Sequence, residues 1–178
     1  VALAIVTPFD VIDREGHHST PVRAYLEDAS QTYKKGTPLV VTTAGYLGTA
    51  VVANPYNGGG LVGISVAPGS NVAAGAADPN TGDKYHLCYP VSDQDTEFVG
   101  QLDASSTTLA AGTHALAQTD LWARYGITQD ATSGLWYVNF SDTSDLYAII
   151  THLIDPIGTI AGRVGFVFIG TAGKTIFA

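Results

Sequence analysis

Short runs rich in β-branched and aromatic residues, each cut off within a few positions by Gly, Pro, Asn, Asp or Ser, recur from residue 37 to residue 169. That rhythm constrains the fold more than any other feature, because helix interiors reject Gly and Pro while pleated strands welcome Val, Thr and Tyr. Thr37-Pro38-Leu39-Val40-Val41-Thr42-Thr43, then Ala44-Gly45, then Tyr46-Leu47-Gly48-Thr49-Ala50-Val51-Val52 has the signature of a hairpin. Leu61 to Ala67 reads as a buried strand stopped by Pro68-Gly69, followed by strands over 84–91 and 96–102. Residues 127–128, 135–140, 146–154 and 163–169 continue the series. Twenty glycines and eight prolines fit this alternation of strand and turn. No long helical crossover separates the runs, so parallel βαβ units are excluded and an all-β, antiparallel barrel or sandwich is expected. No repeat appears at a period of roughly 20 to 50 residues.

Between the strands, 57–60, 68–83 and the acidic Ser92-Asp93-Gln94-Asp95 are expected to be loops, with 68–83 the most exposed. Thr119 to Gly126 reads as a capping residue, a short helical turn and a glycine stop. Residues 1 to 21 show neither helical nor strand periodicity and are expected to form an extended N-terminal arm, leaving 22–178 as a single β-rich domain. The apolar side chains of that arm, Val1, Leu3, Ile5, Val6 and Phe9, are costly to leave in water. They are therefore expected to bury against a neighbouring subunit, with the arm loose in the free protein.

Hydrophobic residues make up 46% of the chain and charged residues only 13%, a balance that excludes intrinsic disorder and points to apolar surface covered by a partner. A homo-oligomer, preferably a trimer, is the simplest cover. The net charge of -8, with basic residues scattered apart from Lys34-Lys35, opposes binding to nucleic acid. No stretch approaches the roughly 20 apolar residues of a membrane span, and the apolar opening has no basic leader, so neither membrane insertion nor export is expected. Cys88 is the sole cysteine and forms no internal disulfide.

Four constellations resemble chemistry. His86 and Cys88 alternate on a strand and face one side, as two metal ligands would, with His17, His18, His114 and His152 as the remaining histidines. A small buried Cys beside an ordinary strand His explains the pair more simply. His152 and Asp155 suggest an acid/base pair with Ser141 or Ser144, but no nucleophile elbow surrounds either serine, and turn chemistry accounts for both. Gly58-Gly59-Gly60 lacks the Lys-Ser/Thr of a phosphate loop. Asp78, Asp83, Asp93 and Asp95 lack the order of a calcium loop. No catalytic residue, cofactor or metal is expected. Nine tyrosines and two tryptophans leave open a small-ligand barrel, which Trp136 and Tyr147 facing a central void would favour.

The second half resembles a known group. Thr119-Asp120-Leu121 with Tyr125-Gly126-Ile127, Gly134-Leu135-Trp136-Tyr137-Val138, Asp155-Pro156-Ile157-Gly158-Thr159 and Gly162-Arg163-Val164-Gly165-Phe166-Val167-Phe168 are similar to segments of head decoration, or cement, proteins of tailed bacteriophages. Gly36-Thr37-Pro38-Leu39 and Leu61-Val62-Gly63-Ile64-Ser65 look like early strands of the same group. The resemblance implies a non-enzymatic virion protein, made in the host cytoplasm and seated on the outer surface of the capsid. There it would clamp neighbouring copies of the major capsid protein, often as a trimer. A receptor-binding or adhesin module is the other surface-displayed alternative.

Overall fold

The structure is a computed structural model that describes residues 9–11, 22–50, 60–91, 96–104, 109, 112–143 and 148–169. Its strands are β1 (Asp10–Val11), β2 (Arg23–Leu26), β3 (Pro38–Val41), β4 (Leu47–Thr49), β5 (Leu61–Ser65), β6 (Tyr85–Pro90), β7 (Phe98–Asp103), β8 (Arg124–Gln129), β9 (Trp136–Asn139), β10 (Ala148–Leu153) and β11 (Arg163–Phe168). The fold is all-β, as the punctuation of the sequence predicts. The described helical structure is short 3-10 turn, including Gln118–Asp120.

The strands form two sheets. One runs β2-β6-β5-β3-β4 and is antiparallel throughout. Its β3–β4 pair is the expected hairpin, turning at Gly45 with φ of 83°. The other runs β1-β7-β11-β10-β8-β9 and closes, because β9 also pairs with β7. That closing pair, Leu102 with Val138 and Asp103 with Asn139, is parallel, whereas the other pairings of this sheet are antiparallel. Five strands thus make a small barrel, and β1 lies outside the ring on the edge of β7.

β7 divides that edge between two partners. Val99 and Phe98 pair with Asp10 and Val11 of β1, while Leu102 and Asp103 pair with β9. Between them is Gly100, where an added Cβ would sit 2.6 Å from a ring carbon of Phe9. The missing side chain opens the slot that Phe9 fills. Phe9 is fully buried, edge-on to Phe166 with ring centroids 5.0 Å apart, and Phe98 meets Phe168 at 5.2 Å. Leu102, Ile127, Trp136, Val138 and Ile150 from the barrel join Val40, Leu61 and Ile64 from the open sheet in the same core. The two sheets therefore share one hydrophobic interior. A second cluster of Tyr33, Leu39, Leu47, Val62 and Cys88 packs on the open sheet.

Two expectations change at this point. Phe9, assigned to a neighbouring subunit, is buried in the core of its own chain, and residues 10–11 pair as strand. Two residues are too few to show alternation, so the sequence offers no period to read there. Val1, Leu3, Ile5 and Val6 lie outside the described residues. The helical turn of 119–126 contracts to Gln118–Asp120, and Gly126 falls inside β8 rather than ending a helix. Gly126 is required by proximity, since the side chain of Asp142 occupies the space a Cβ would take. Residues 68–83 are irregular and none is buried, in keeping with an accessible loop.

Replacing Phe9→Ala should cost about 3–5 kcal/mol of unfolding free energy, the range for emptying a fully buried aromatic site. Urea denaturation of the full chain measures it. A loss below about 1 kcal/mol would mean that the slot at Gly100 contributes little.

Candidate docking surface

Most large apolar side chains in the described residues are packed, which makes the exceptions informative. Trp122 is 70% exposed, with Ile157 at 61% and Ile160 at 51%. A scattered exposed leucine needs no explanation, but tryptophan is the residue type most concentrated at binding hot spots. Trp122 also has φ of 64°, a left-handed conformation that bulky side chains rarely adopt and that costs about 1–3 kcal/mol.

The strain is held by Asp120, which is 1% exposed. Its Oδ2 accepts the Ala117 N–H at 2.8 Å and lies 2.9 Å from His114 Nε2. Its Oδ1 accepts the Tyr125 hydroxyl at 3.2 Å. Burial, reinforced by the Asp120 charge, pushes the Tyr125 phenol up to about 12, so Tyr125 remains a donor at neutral pH. The His114 ring stacks on Phe140 with centroids 3.8 Å apart. Downstream, the Ala123 N–H bonds the Asp120 carbonyl at 3.1 Å, and the Trp122 N–H bonds Ile150 of β10 at 2.8 Å. The backbone on either side of the indole is thereby fixed to the barrel.

Ile157 and Ile160 belong to a loop tied to the same segment. The Gly158 N–H reaches the Leu116 carbonyl at 2.8 Å, the Leu116 N–H reaches Thr159 at 3.0 Å, and Ala115 and Ile160 form an isolated bridge. Both apolar projections are thus anchored through residues 112–122. A smaller apolar strip lies on the outer face of the open sheet, where Val22, Tyr85 and Leu87 are exposed beside and on the β2–β6 pair.

The residues singled out for chemistry have other employment. Cys88 is buried, and burial pushes its thiol up to about 12, away from the thiolate a metal or nucleophile role requires. His86 Nδ1 lies 3.3 Å from Glu27 Oε2. Among the described residues no group of three or more His, Cys, Asp or Glu side chains is arranged to hold a metal. His152 Nδ1 meets Glu97 Oε1 at 2.7 Å, whereas Asp155 takes a guanidinium hydrogen bond from Arg163 at 2.8 Å, which holds the Asp155 carboxyl below the usual range. The Ser141 hydroxyl donates to the Ala104 carbonyl at 2.6 Å. The described contacts of His152, Asp155 and Ser141 thus run to Glu97, Arg163 and Ala104 respectively.

Asp78 Oδ1 accepts the Asn80 N–H at 2.8 Å in a turn. Trp136 is fully buried within the packed core. His17, His18, Gly58, Gly59, Asp93, Asp95, Ser144 and Tyr147 lie outside the described residues. No described helix is long and apolar enough to cross a membrane. The chain matches no family model, no curated protein and no solved structure.

Relieving the backbone at Trp122 should stabilise the protein. Trp122→Gly is expected to raise the unfolding free energy by about 1 kcal/mol, since the exposed indole contributes little burial and glycine accepts the left-handed conformation. A destabilised variant in urea denaturation would show that the indole packs on its own domain. Cys88 should resist a thiol reagent such as dithionitrobenzoate in the native protein and react with one equivalent in guanidinium chloride. Fast native labelling would contradict its burial.

Proposed function

We propose that this chain is a structural binding protein whose partner is an assembled protein shell. In this reading it decorates the outside of a tailed-phage head and clamps neighbouring copies of the major capsid protein without catalysing a reaction. The observation that carries the proposal is Trp122, a mostly exposed indole on a left-handed backbone that a buried hydrogen-bond network holds in place. Strain maintained at a surface aromatic is a feature of binding sites, where a rigid anchor loses little conformational entropy on docking. Ile157 and Ile160 supply further apolar area anchored to the same segment.

The resemblance of 119–121, 125–127, 134–138, 155–159 and 162–168 to decoration proteins narrows the partner class to coat subunits; Ile157 falls within those stretches, and Trp122 and Ile160 lie beside them. The low charged fraction, 13%, supports self-association as well, with a trimer preferred. The place of action is then the outer surface of the virion, after synthesis in the host cytoplasm.

Co-sedimentation of the full chain with empty phage heads tests the proposal. Trp122→Gly should weaken head binding at least tenfold, equivalent to about 1.4 kcal/mol, while the variant stays folded. Native mass measurement of the unbound protein should give three chains. Failure of the wild-type chain to sediment with heads, or equal binding by the variant, would overturn the reading.

A further inference from the structure

The two sheets share more than a core. Leaving β1 aside, and numbering strands within each sheet by chain order, β2-β6-β5-β3-β4 and β7-β11-β10-β8-β9 have the same sequence of neighbours: first, fifth, fourth, second, third. In the barrel the first and third strands, β7 and β9, close the ring in parallel. β2 and β4 stand at opposite edges of the other sheet, yet they also meet in parallel. Glu27 and Leu47 form a bridge, and the Asp28 N–H bonds the Leu47 carbonyl at 2.8 Å.

The registers agree as well. Arg23 pairs with Cys88 as Phe98 pairs with Phe166, and Ser65 pairs with Cys88 as Ile150 pairs with Phe166. Leu39–Gly63 corresponds to Tyr125–Ala148, and Val41–Leu47 to Ile127–Val138. Round a ring, successive pairings can be brought into line by sliding one strand after another, but the last has no freedom left. That last pairing sets Glu27–Leu47 against Leu102–Val138, and it falls into line. Both rings therefore have the same stagger, which together with strand number fixes the shape of a barrel. The links between strands differ in length, as between Leu26 and Pro38 against Asp103 and Arg124, so no fixed period marks the sequence.

The likeness extends into the turn before the second strand of each ring. The Gly36 N–H bonds the Ser65 carbonyl at 2.9 Å, and the Thr37 N–H bonds that of Lys34 at 3.2 Å. In the same places the Trp122 N–H bonds Ile150 at 2.8 Å and the Ala123 N–H bonds Asp120 at 3.1 Å. Gly36 and Trp122 are thus equivalent, and both are left-handed, with φ of 80° and 64°. Glycine adopts that conformation without strain, so the indole is not something the ring requires.

What the two turns touch is different. Gly36 is buried, Lys34 Nζ donates to the Ser133 carbonyl at 2.6 Å, and Lys35 Nζ lies 2.9 Å from Asp10 Oδ2. The first turn is therefore a contact with the second ring and with β1 on its edge. In the second turn Asp120 is buried and Trp122 is mostly exposed.

We infer that the chain is a tandem of two copies of one five-stranded ring, in which this turn has two tasks. In the first copy it seats the sister ring. In the second it meets the coat subunit, with Trp122 as an anchor in the place of the glycine. The tandem stands by itself, whereas the second task rests on the head-binding reading.

Measurements on the full chain separate the two parts. NMR should give through-space contacts between backbone protons of Glu27 and Leu47, as between Leu102 and Val138, and slowed exchange of the Asp28 amide. Absent Glu27–Leu47 contacts, or an Asp28 amide that exchanges at the unstructured rate, would overturn the tandem. Trp122→Gly and Trp122→Asn should both have a higher urea midpoint than Trp122→Ala, because glycine and asparagine tolerate the left-handed region. An alanine variant as stable as both would break the equivalence with Gly36. In co-sedimentation with empty phage heads, Trp122→Phe should bind within about threefold of the wild type, while Trp122→Ala loses at least about tenfold. Equal binding by the two variants would remove the anchor role. A wild-type chain that ignores heads would overturn the head-binding reading and the second task together, and leave the tandem standing.

Discussion

The barrel depends on one edge of β7 serving two partners. β9 takes the Leu102–Asp103 end in parallel and closes the ring, and β1 takes the Phe98–Val99 end in antiparallel and covers the rest of that edge. Gly100 lies at the junction, and the space left by its missing side chain admits Phe9 to the aromatic cluster with Phe98, Phe166 and Phe168. Burying a large side chain contributes roughly 1.5–3 kcal/mol, a sizeable share of a marginal stability. Residues 9–11 are thus part of the folded domain.

Buried aspartates extend that order outward to the loops. Asp103 accepts the Thr113 and His114 N–H groups at 2.8 and 3.1 Å, and Asp130 accepts those of Leu109 and Ser133 at 2.9 and 2.6 Å. For Asp130, burial works against ionisation, but hydrogen bonds from Ser133, Leu109 and Thr132 prevail and hold its carboxyl below the usual range. Asp120 performs the same service for the turn before Trp122. Carboxylates that satisfy loop amides replace the hydrogen bonds a sheet would give, so irregular backbone is held without long helices. A surface anchored in this way can present an indole in a conformation that a loose loop would relax.

Much of the architecture was legible because strand and turn chemistry are local. The hairpin about Gly45, the buried β5 and the strands β6, β7, β9, β10 and β11 lie where β-rich runs meet turn residues. What was not legible depends on contacts distant in sequence. β1 and β2 are short, and β2 has a weakly apolar pattern in Arg-Ala-Tyr-Leu. The parallel closure of β7 on β9 leaves no local mark, and Gly126 resembled a helix stop because nothing nearby announces the approach of Asp142. The exposure and left-handed backbone of Trp122 likewise leave no local mark in the sequence. His86 and Cys88 alternate on β6, but the carboxylate beside His86 Nδ1, 3.3 Å away, is that of Glu27, from a segment that periodicity does not connect to it.

The exposed apolar side chains Trp122, Ile157 and Ile160 define the surface on which the proposed partner would dock. Hydrogen–deuterium exchange of the full chain, free and bound to empty phage heads, measures this directly. Docking there should protect the amides of 119–123 and 157–161 while the barrel core, already protected, changes little. Protection confined to other segments, or none on saturated heads, would contradict it.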